Sequence, residues 1–163
     1  MKMGAITQFL NDVEWGELDY LVVDCPPGTG DEPLSICQAL NGQATAALIV
    51  TTPQEVAASD VRRSVNFCHR MELPVAGIIE NMSGFACPHC KKVTNIFNAG
   101  GGRKIAKDYD VPFLGELPIS SGVGISGDEG KPFVEDESNS DTLKNFKNIV
   151  EKIISGYAKK KEN

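Results

Sequence analysis

Apolar positions fall along this chain in short blocks, and the period of each block predicts an element. Residues 3–13 place Ile6, Phe9, Leu10 and Val13 at helical spacing, and Trp15-Gly16 ends that pattern. Residues 20–23 are wholly apolar and stop at Asp24, with a turn of Pro26, Pro27, Gly28 and Gly30 following. That form predicts a buried strand of a parallel sheet. A short helix is expected over 32–40, with Leu34, Ile36, Cys37 and Leu40 inward and Asn41-Gly42 closing it. Residues 45–51 read as a second buried strand, ending at Pro53. The clearest inner helix is 54–71, where Ala57, Val61, Val65, Cys68 and Met71 make one stripe and Arg62, Arg63 and Arg70 lie toward the polar side.

A third strand is expected over 75–80, with Asn81 at its end, and the segment 82–98 then breaks the alternation. A helix over 102–109, a strand over 111–117 and a Gly-rich loop over 120–130 follow. The chain closes on an amphipathic helix, 141–158, that carries Leu143, Phe146, Ile149, Val150, Ile153, Ile154 and Tyr157 on one face, with Ser140 as its cap. Strands alternating with helices predict an α/β fold with a mostly parallel sheet, as one domain over 1–163.

Composition narrows the function classes. The chain has 163 residues, enough for one real core, and its 41% hydrophobic and 23% charged content is that of a soluble globular protein. A net charge of −6 argues against a nucleic-acid surface, which needs clustered Lys and Arg. Lys159-Lys160-Lys161 reads as a solvated terminus. No apolar stretch is long enough for a bilayer and no signal-peptide pattern is present, so no membrane partner is expected. Five cysteines at irregular spacing suit a reducing cytoplasm better than a disulfide framework.

Two stretches carry chemistry. Asp24 stands at the carboxyl end of an expected strand, where ligands of open α/β sheets collect, and a lone carboxylate there suits Mg²⁺ with its waters. Gly28 and Gly30 let backbone N–H groups approach a phosphate. The competing reading of this turn is an Asp that caps the next helix, and Asp31 has the same competitor. In Cys87-Pro88-His89-Cys90, two thiols two residues apart can hold one metal or cluster. No second Cys-x-x-Cys completes a four-thiolate site, so the simplest completion is a second copy on a two-fold axis. A zinc site and a dithiol redox pair remain alternatives. Cys25, Cys37 and Cys68 read as small buried residues. Gly100-Gly101-Gly102 reads as a tight turn into a helix, with an anion site as its rival. Gly122-x-Gly-x-x-Gly lacks the context of a dinucleotide site.

The string from Asp24 to Asp31 resembles the Walker B and switch II region of the Mrp/NBP35 (ApbC) ATPases, deviant P-loop proteins related to MinD and ParA. The resemblance continues through Thr51-Thr52-Pro53-Gln54-Glu55-Val56-Ala57, Glu80-Asn81-Met82-Ser83-Gly84-Phe85, the cysteine motif, Gly100-Gly101-Gly102 and Phe113-Leu114-Gly115-Glu116-Leu117-Pro118. The family's Gly-rich Walker A loop has no counterpart here, so the chain is expected to be the C-terminal part of a longer protein. On this view the doubly wound P-loop sheet is N-terminally incomplete and leaves an exposed edge. The cysteine-bearing loop, 82–98, is inserted after the third recognisable strand.

The resemblance implies an ATPase that carries and passes on a 4Fe–4S cluster, with ATP and Mg²⁺ as cofactors. It implies a cytoplasmic homodimer joined through the Cys-x-x-Cys region, with apo iron–sulfur proteins as clients. By the same resemblance Asp24 supports Mg²⁺, the Gly28 backbone meets the γ-phosphate, Asp31 orients a water or the switch turn, and Asn81 reads the adenine. Pro118 covers the other side of the base, and Cys87 and Cys90 ligate the cluster. The rivals are a non-enzymatic zinc- or cluster-binding scaffold and a MinD/ParA-type positioning switch.

Overall fold

The computed structural model describes residues 2–40, 46–87, 90, 92–97, 99–135 and 140–161. Asn41-Gly42, His89, the Ser140 cap and the Tyr157 side chain, all named above, lie outside what is described. The elements run α1 (Lys2–Asn11), α2 (Asp31–Ala39), β1 (Ala47–Thr51), α3 (Glu55–Arg70), β2 (Val75–Ala86) and β3 (Val93–Thr94). They continue with α4 (Gly101–Asp108), β4 (Phe113–Ile119), α5 (Ser121–Glu129), a 3₁₀ turn (Phe133–Glu135) and α6 (Ser140–Lys161).

β2 is the centre of the sheet. It pairs in parallel with β1 on one side and β4 on the other, and its far end pairs antiparallel with β3. Successive side chains of a strand point to opposite faces, so the neighbours Ile78 and Ile79 serve two different cores. Ile78 packs with Ile49, with Ala58, Val61 and Val65 of α3, and with Ile105 and Ala106 of α4. Ile79 packs with Leu114 of β4 and Ile149 of α6. Helices therefore cover both faces, which is the doubly wound α/β arrangement the alternating pattern predicts.

Helix ends set the spacing between elements. Glu72 and Asp110 adopt left-handed backbone, with φ of 53° and 52°. After α3, the N–H of Leu73 donates to Cys68 O at 2.9 Å and that of Glu72 to His69 O at 3.2 Å. After α4, the N–H of Val111 donates to Ala106 O at 2.9 Å and that of Asp110 to Lys107 O at 3.3 Å. These are Schellman closures, which occupy the last helical carbonyls and turn the chain sharply into the next strand. α6 adds a lysine to the β4 edge, where Lys152 Nζ donates to Leu114 O at 2.6 Å.

Three expectations are corrected. Residues 20–23 form no strand, and Val22 is 88% exposed. A strand holds only when neighbours take up its N–H and C=O groups, and among the described residues none runs beside it. The expected open sheet edge is at β1, which among the described residues pairs only with β2; Leu48 and Val50, on one face of that strand, are exposed. Secondly, the third strand does not end at Glu80. β2 runs on to Ala86, because Phe85 and Ala86 find partners in Thr94 and Val93 beyond an irregular step at residues 82–84.

Thirdly, the Gly-rich stretch 120–130 is mostly helix, α5. Glycine weakens a helix interior, but Gly130 at φ 66° closes this one with a Schellman pair, Lys131 N–H to Ser126 O and Gly130 N–H to Gly127 O. The Gly-x-Gly-x-x-Gly of residues 122–127 is thus a run within a helix rather than a phosphate loop.

A Cβ on Gly115 would meet Ile149 Cγ1 at 2.7 Å, whereas one on Gly124 would meet nothing within 4 Å. Gly115→Ala should lower stability to urea by about 1–3 kcal/mol through overpacking. Gly124→Ala should raise it by up to about 1 kcal/mol. Burial raises the Cys68 thiol from its ordinary 9.0 to about 11, with a Cys37 charge adding to the shift. The unfolded chain therefore loses this proton first as pH rises, and the contribution to stability, full below pH 9.0, is lost toward pH 11. Wild type should lose more stability across that window than Cys68→Ala, measured by urea midpoints at each pH.

Candidate functional site

Parallel strands end together, and at their carboxyl ends Thr51, Glu80 and Glu116 stand in register. One residue further on, Asn81 pairs with Leu117, and Pro118, the next residue of β4, stands at the same end of the sheet one step out of register with Asn81. Pro118 lies within β4 rather than in the loop after it. Asn81 is half-buried, and its Oδ1 accepts the N–H of Met82 at 2.9 Å. Met82 itself takes left-handed backbone at φ 58°, the start of the irregular step in β2.

Glu80, which the sequence reading passed over, is the most consequential side chain of this edge. It is fully buried. Its Oε1 accepts the Ser83 hydroxyl at 2.7 Å and the Gly100 N–H at 3.2 Å, and its Oε2 accepts the Gly102 N–H at 2.7 Å. The N–H groups belong to the first turn of α4, whose orphan donors and positive dipole end suit a carboxylate. Gly100-Gly101-Gly102 does hold an anion at a helix start, and the anion is the protein's own. A Cβ on Gly102 would sit 2.9 Å from Thr51 Cγ2 and 3.2 Å from Glu80 Cβ, so only glycine lets the helix approach this closely. The signal in the sequence was a charged residue closing an otherwise apolar run, Val75 to Ile79.

The turn after Asp24 lies elsewhere. Asp24 and Asp31 are exposed, and Gly28 has φ 97°. Gly30, not Asp31, occupies the cap position of α2, and Asp31 is the first helical residue. With Glu32 it supplies negative charge to the first turn, a favourable placement. Pro27, Gly28 and Thr29 line an open groove with Asp60 and Arg63 on α3, which are ion-paired with each other. The residues expected on the nucleotide side therefore fall into two groups, the turn beside α3 and, at the sheet's end, Asn81 on β2 and Pro118 on β4.

The cysteines divide by environment. Cys87 is half-buried and Cys90 exposed, at the turn of the β2–β3 hairpin. The Cys87 N–H donates to Lys92 O at 3.1 Å, which closes the loop around the motif. Met82, Val93 and Ile96 are exposed around this hairpin. Of the three cysteines expected to be buried, Cys68 is, Cys37 is half-buried, and Cys25 is exposed. Cys25 follows the unpaired 20–23 segment, which has no sheet to bury it. Desolvation raises the thiol pKa of Cys25, with smaller contributions from Cys37 and Asp24, and desolvation also raises that of Cys37. Among the described residues, no group of three or more His, Cys, Asp or Glu could hold a metal ion.

Comparison with known proteins agrees with this architecture. A family model described as ParA, NUBPL iron-transfer P-loop NTPase, matches residues 1–154. The chain is 48% identical over 153 residues to the cytosolic Fe-S cluster assembly factor NUBP2 homolog of Nematostella vectensis, covering 93% of this chain and 57% of that protein. It is 48% identical over 159 residues to the iron-sulfur cluster carrier protein of Methanocaldococcus jannaschii, covering 98% and 54%. Among solved structures, it is similar to the nucleotide-binding protein in complex with ADP from Archaeoglobus fulgidus. That match has a TM-score of 0.71 and 41% identity, over 79% of this chain and 52% of that one. The cell division ATPase MinD of Pyrococcus furiosus shares the fold, with a TM-score of 0.68 and 18% identity over 94% of this chain and 58% of its own. The chain thus spans about half the length of the relatives it matches. The resemblance to Mrp/NBP35 proteins is borne out, and the chain belongs to the NUBPL iron-transfer P-loop NTPase family.

Proposed function

We propose that this chain is the cysteine-bearing portion of an iron–sulfur cluster carrier. The intact protein binds and hydrolyses ATP with Mg²⁺ and holds a 4Fe–4S cluster between two copies in the cytoplasm, for delivery to apo iron–sulfur proteins. The observation that carries this reading is the Cys87–Cys90 pair at an exposed hairpin turn in a chain of an iron-transfer family. Two thiolates form half of a four-thiolate site, and no third ligand stands beside them among the described residues. A second copy related by a two-fold axis supplies the other half.

On the nucleotide side, Asn81 contacts adenine through its amide and Pro118 covers the base. Asp24 holds Mg²⁺ through its waters, the Gly28 backbone meets the γ-phosphate, and Asp31 orients the attacking water or the switch turn. An exposed carboxylate with room for a water shell suits Mg²⁺, which gives up its waters reluctantly. With residues 20–23 outside the sheet, the phosphate end of the site is not built, so only the cysteine pair functions in the chain alone.

Anaerobic reconstitution with iron and sulfide, followed by size exclusion with iron and sulfide assays, should give a brown dimer with about four irons per two chains. Cys87→Ala should abolish both colour and dimer. A colourless protein that takes up zinc would replace the cluster with a structural metal site. Calorimetric titration of the chain with Mg·ATP should detect no binding tighter than about 1 mM. Submicromolar binding would show that the phosphate end is complete without a Walker A loop.

A further inference from the structure

Glu80 stands at the base of an excursion. Past Glu80 the chain runs on along β4, with Asn81 opposite Leu117 and, beyond the irregular step, Phe85 opposite Ile119, then passes Cys87, Cys90 and β3 and returns at Gly100 to start α4. The Glu80 carboxylate bridges that gap directly, because it binds Gly100 and Gly102 across 20 and 22 residues of sequence. It also holds Ser83, which lies within the excursion. Three donors converge on one buried anion, and no cation pairs with it among the described residues. The Ser83 hydroxyl and α4's own dipole and N–H groups offset the charge. Gly102 locks the other jaw, pressed against Thr51 of β1 and the Glu80 stem.

We propose that Glu80 is a positioning residue, a clasp that closes the base of the cysteine hairpin and sets it relative to Asn81 and the sheet's end. The inference rests on the carrier reading for its functional meaning, though the clasp itself does not. Asn81 is the next residue in the strand, and Ser83 lies two beyond it. A ligand that shifts Asn81 therefore pulls on the same strand step that Ser83 ties to the carboxylate. Release of the carboxylate frees both ends of the hairpin together, whereas release of Ser83 frees only its entry. The clasp thus gives the nucleotide end a physical connection to the cysteines, through one side chain and three hydrogen bonds.

Hydrogen exchange on the full chain tests this without any metal. Glu80→Gln keeps the volume but removes the charge and turns an N–H₂ group toward the helix donors. Exchange in residues 81–100 should rise about tenfold or more, while α3 and β1 keep their protection. Ser83→Ala should loosen residues 82–87 alone and leave Gly100 and Gly102 protected, and it decides the matter if Glu80→Gln does not fold. In the reconstituted protein, Glu80→Gln should lose iron to a ferrous chelator several-fold faster than wild type. Uniform acceleration across the chain, or unchanged protection at 81–100, would overturn the clasp and leave Glu80 as ordinary core packing. A wild-type chain that takes up no iron overturns the carrier reading, and the exchange result still decides the clasp.

Discussion

A parallel strand cannot satisfy its own backbone, and the order of this structure follows from which strands have neighbours. β2 has a partner on each side and a helical layer on each face, and the two cores meet across it at Ile78 and Ile79. β1 has one partner among the described residues; its inner face is buried through Ile49 and Thr51 on the α3 side, while Leu48 and Val50, on the other face, stay exposed. Residues 20–23 have no partner among the described residues, and no strand forms there. Residues 20–23, 48–50 and 78–79 are all apolar runs. Hydrogen-bond partnership separated them.

The same constraint places the candidate residues. Side chains at the carboxyl end of β2 inherit the position of the best-anchored strand, which is why Asn81 and Pro118 share one edge. The cysteines are carried further out, on the continuation of that strand into a two-residue antiparallel pairing with β3. Such a short ladder holds a hairpin weakly by itself. The bond from Cys87 N–H to Lys92 O and the buried Glu80 carboxylate supply what the ladder lacks.

Charge is used sparingly inside the fold. Arg103 pairs with Glu116 at 2.9 Å on the surface and lies 4.4 Å from the Phe113 ring centroid, where a guanidinium covers an aromatic face at little cost. Glu80, the one fully buried carboxylate among the described residues, is met by neutral donors and a helix terminus instead of a cation. That choice avoids desolvating a second ion, whose penalty can exceed the attraction gained. It also leaves the anion's placement dependent on exact backbone approach, and Gly102 provides that approach.

Local periodicity by itself determined the helices α3, α4 and α6 and the strands β1 and β4 within a few residues, because a packed face must repeat at the element's own period. The family was legible for a similar reason, since short strings with a fixed spacing are recognisable locally. Tertiary structure decided everything that depends on a distant partner. Val22 and Ile78 look alike in sequence, yet one is exposed and the other buried, because only one of their segments found neighbouring strands. Residues 121–129 look like a loop until Lys131 and Gly130 close them as a helix. Glu80 reads as the polar end of a strand, and its role appears only when residues 100–102 fold back onto it, since no local pattern records a bond made across 22 positions.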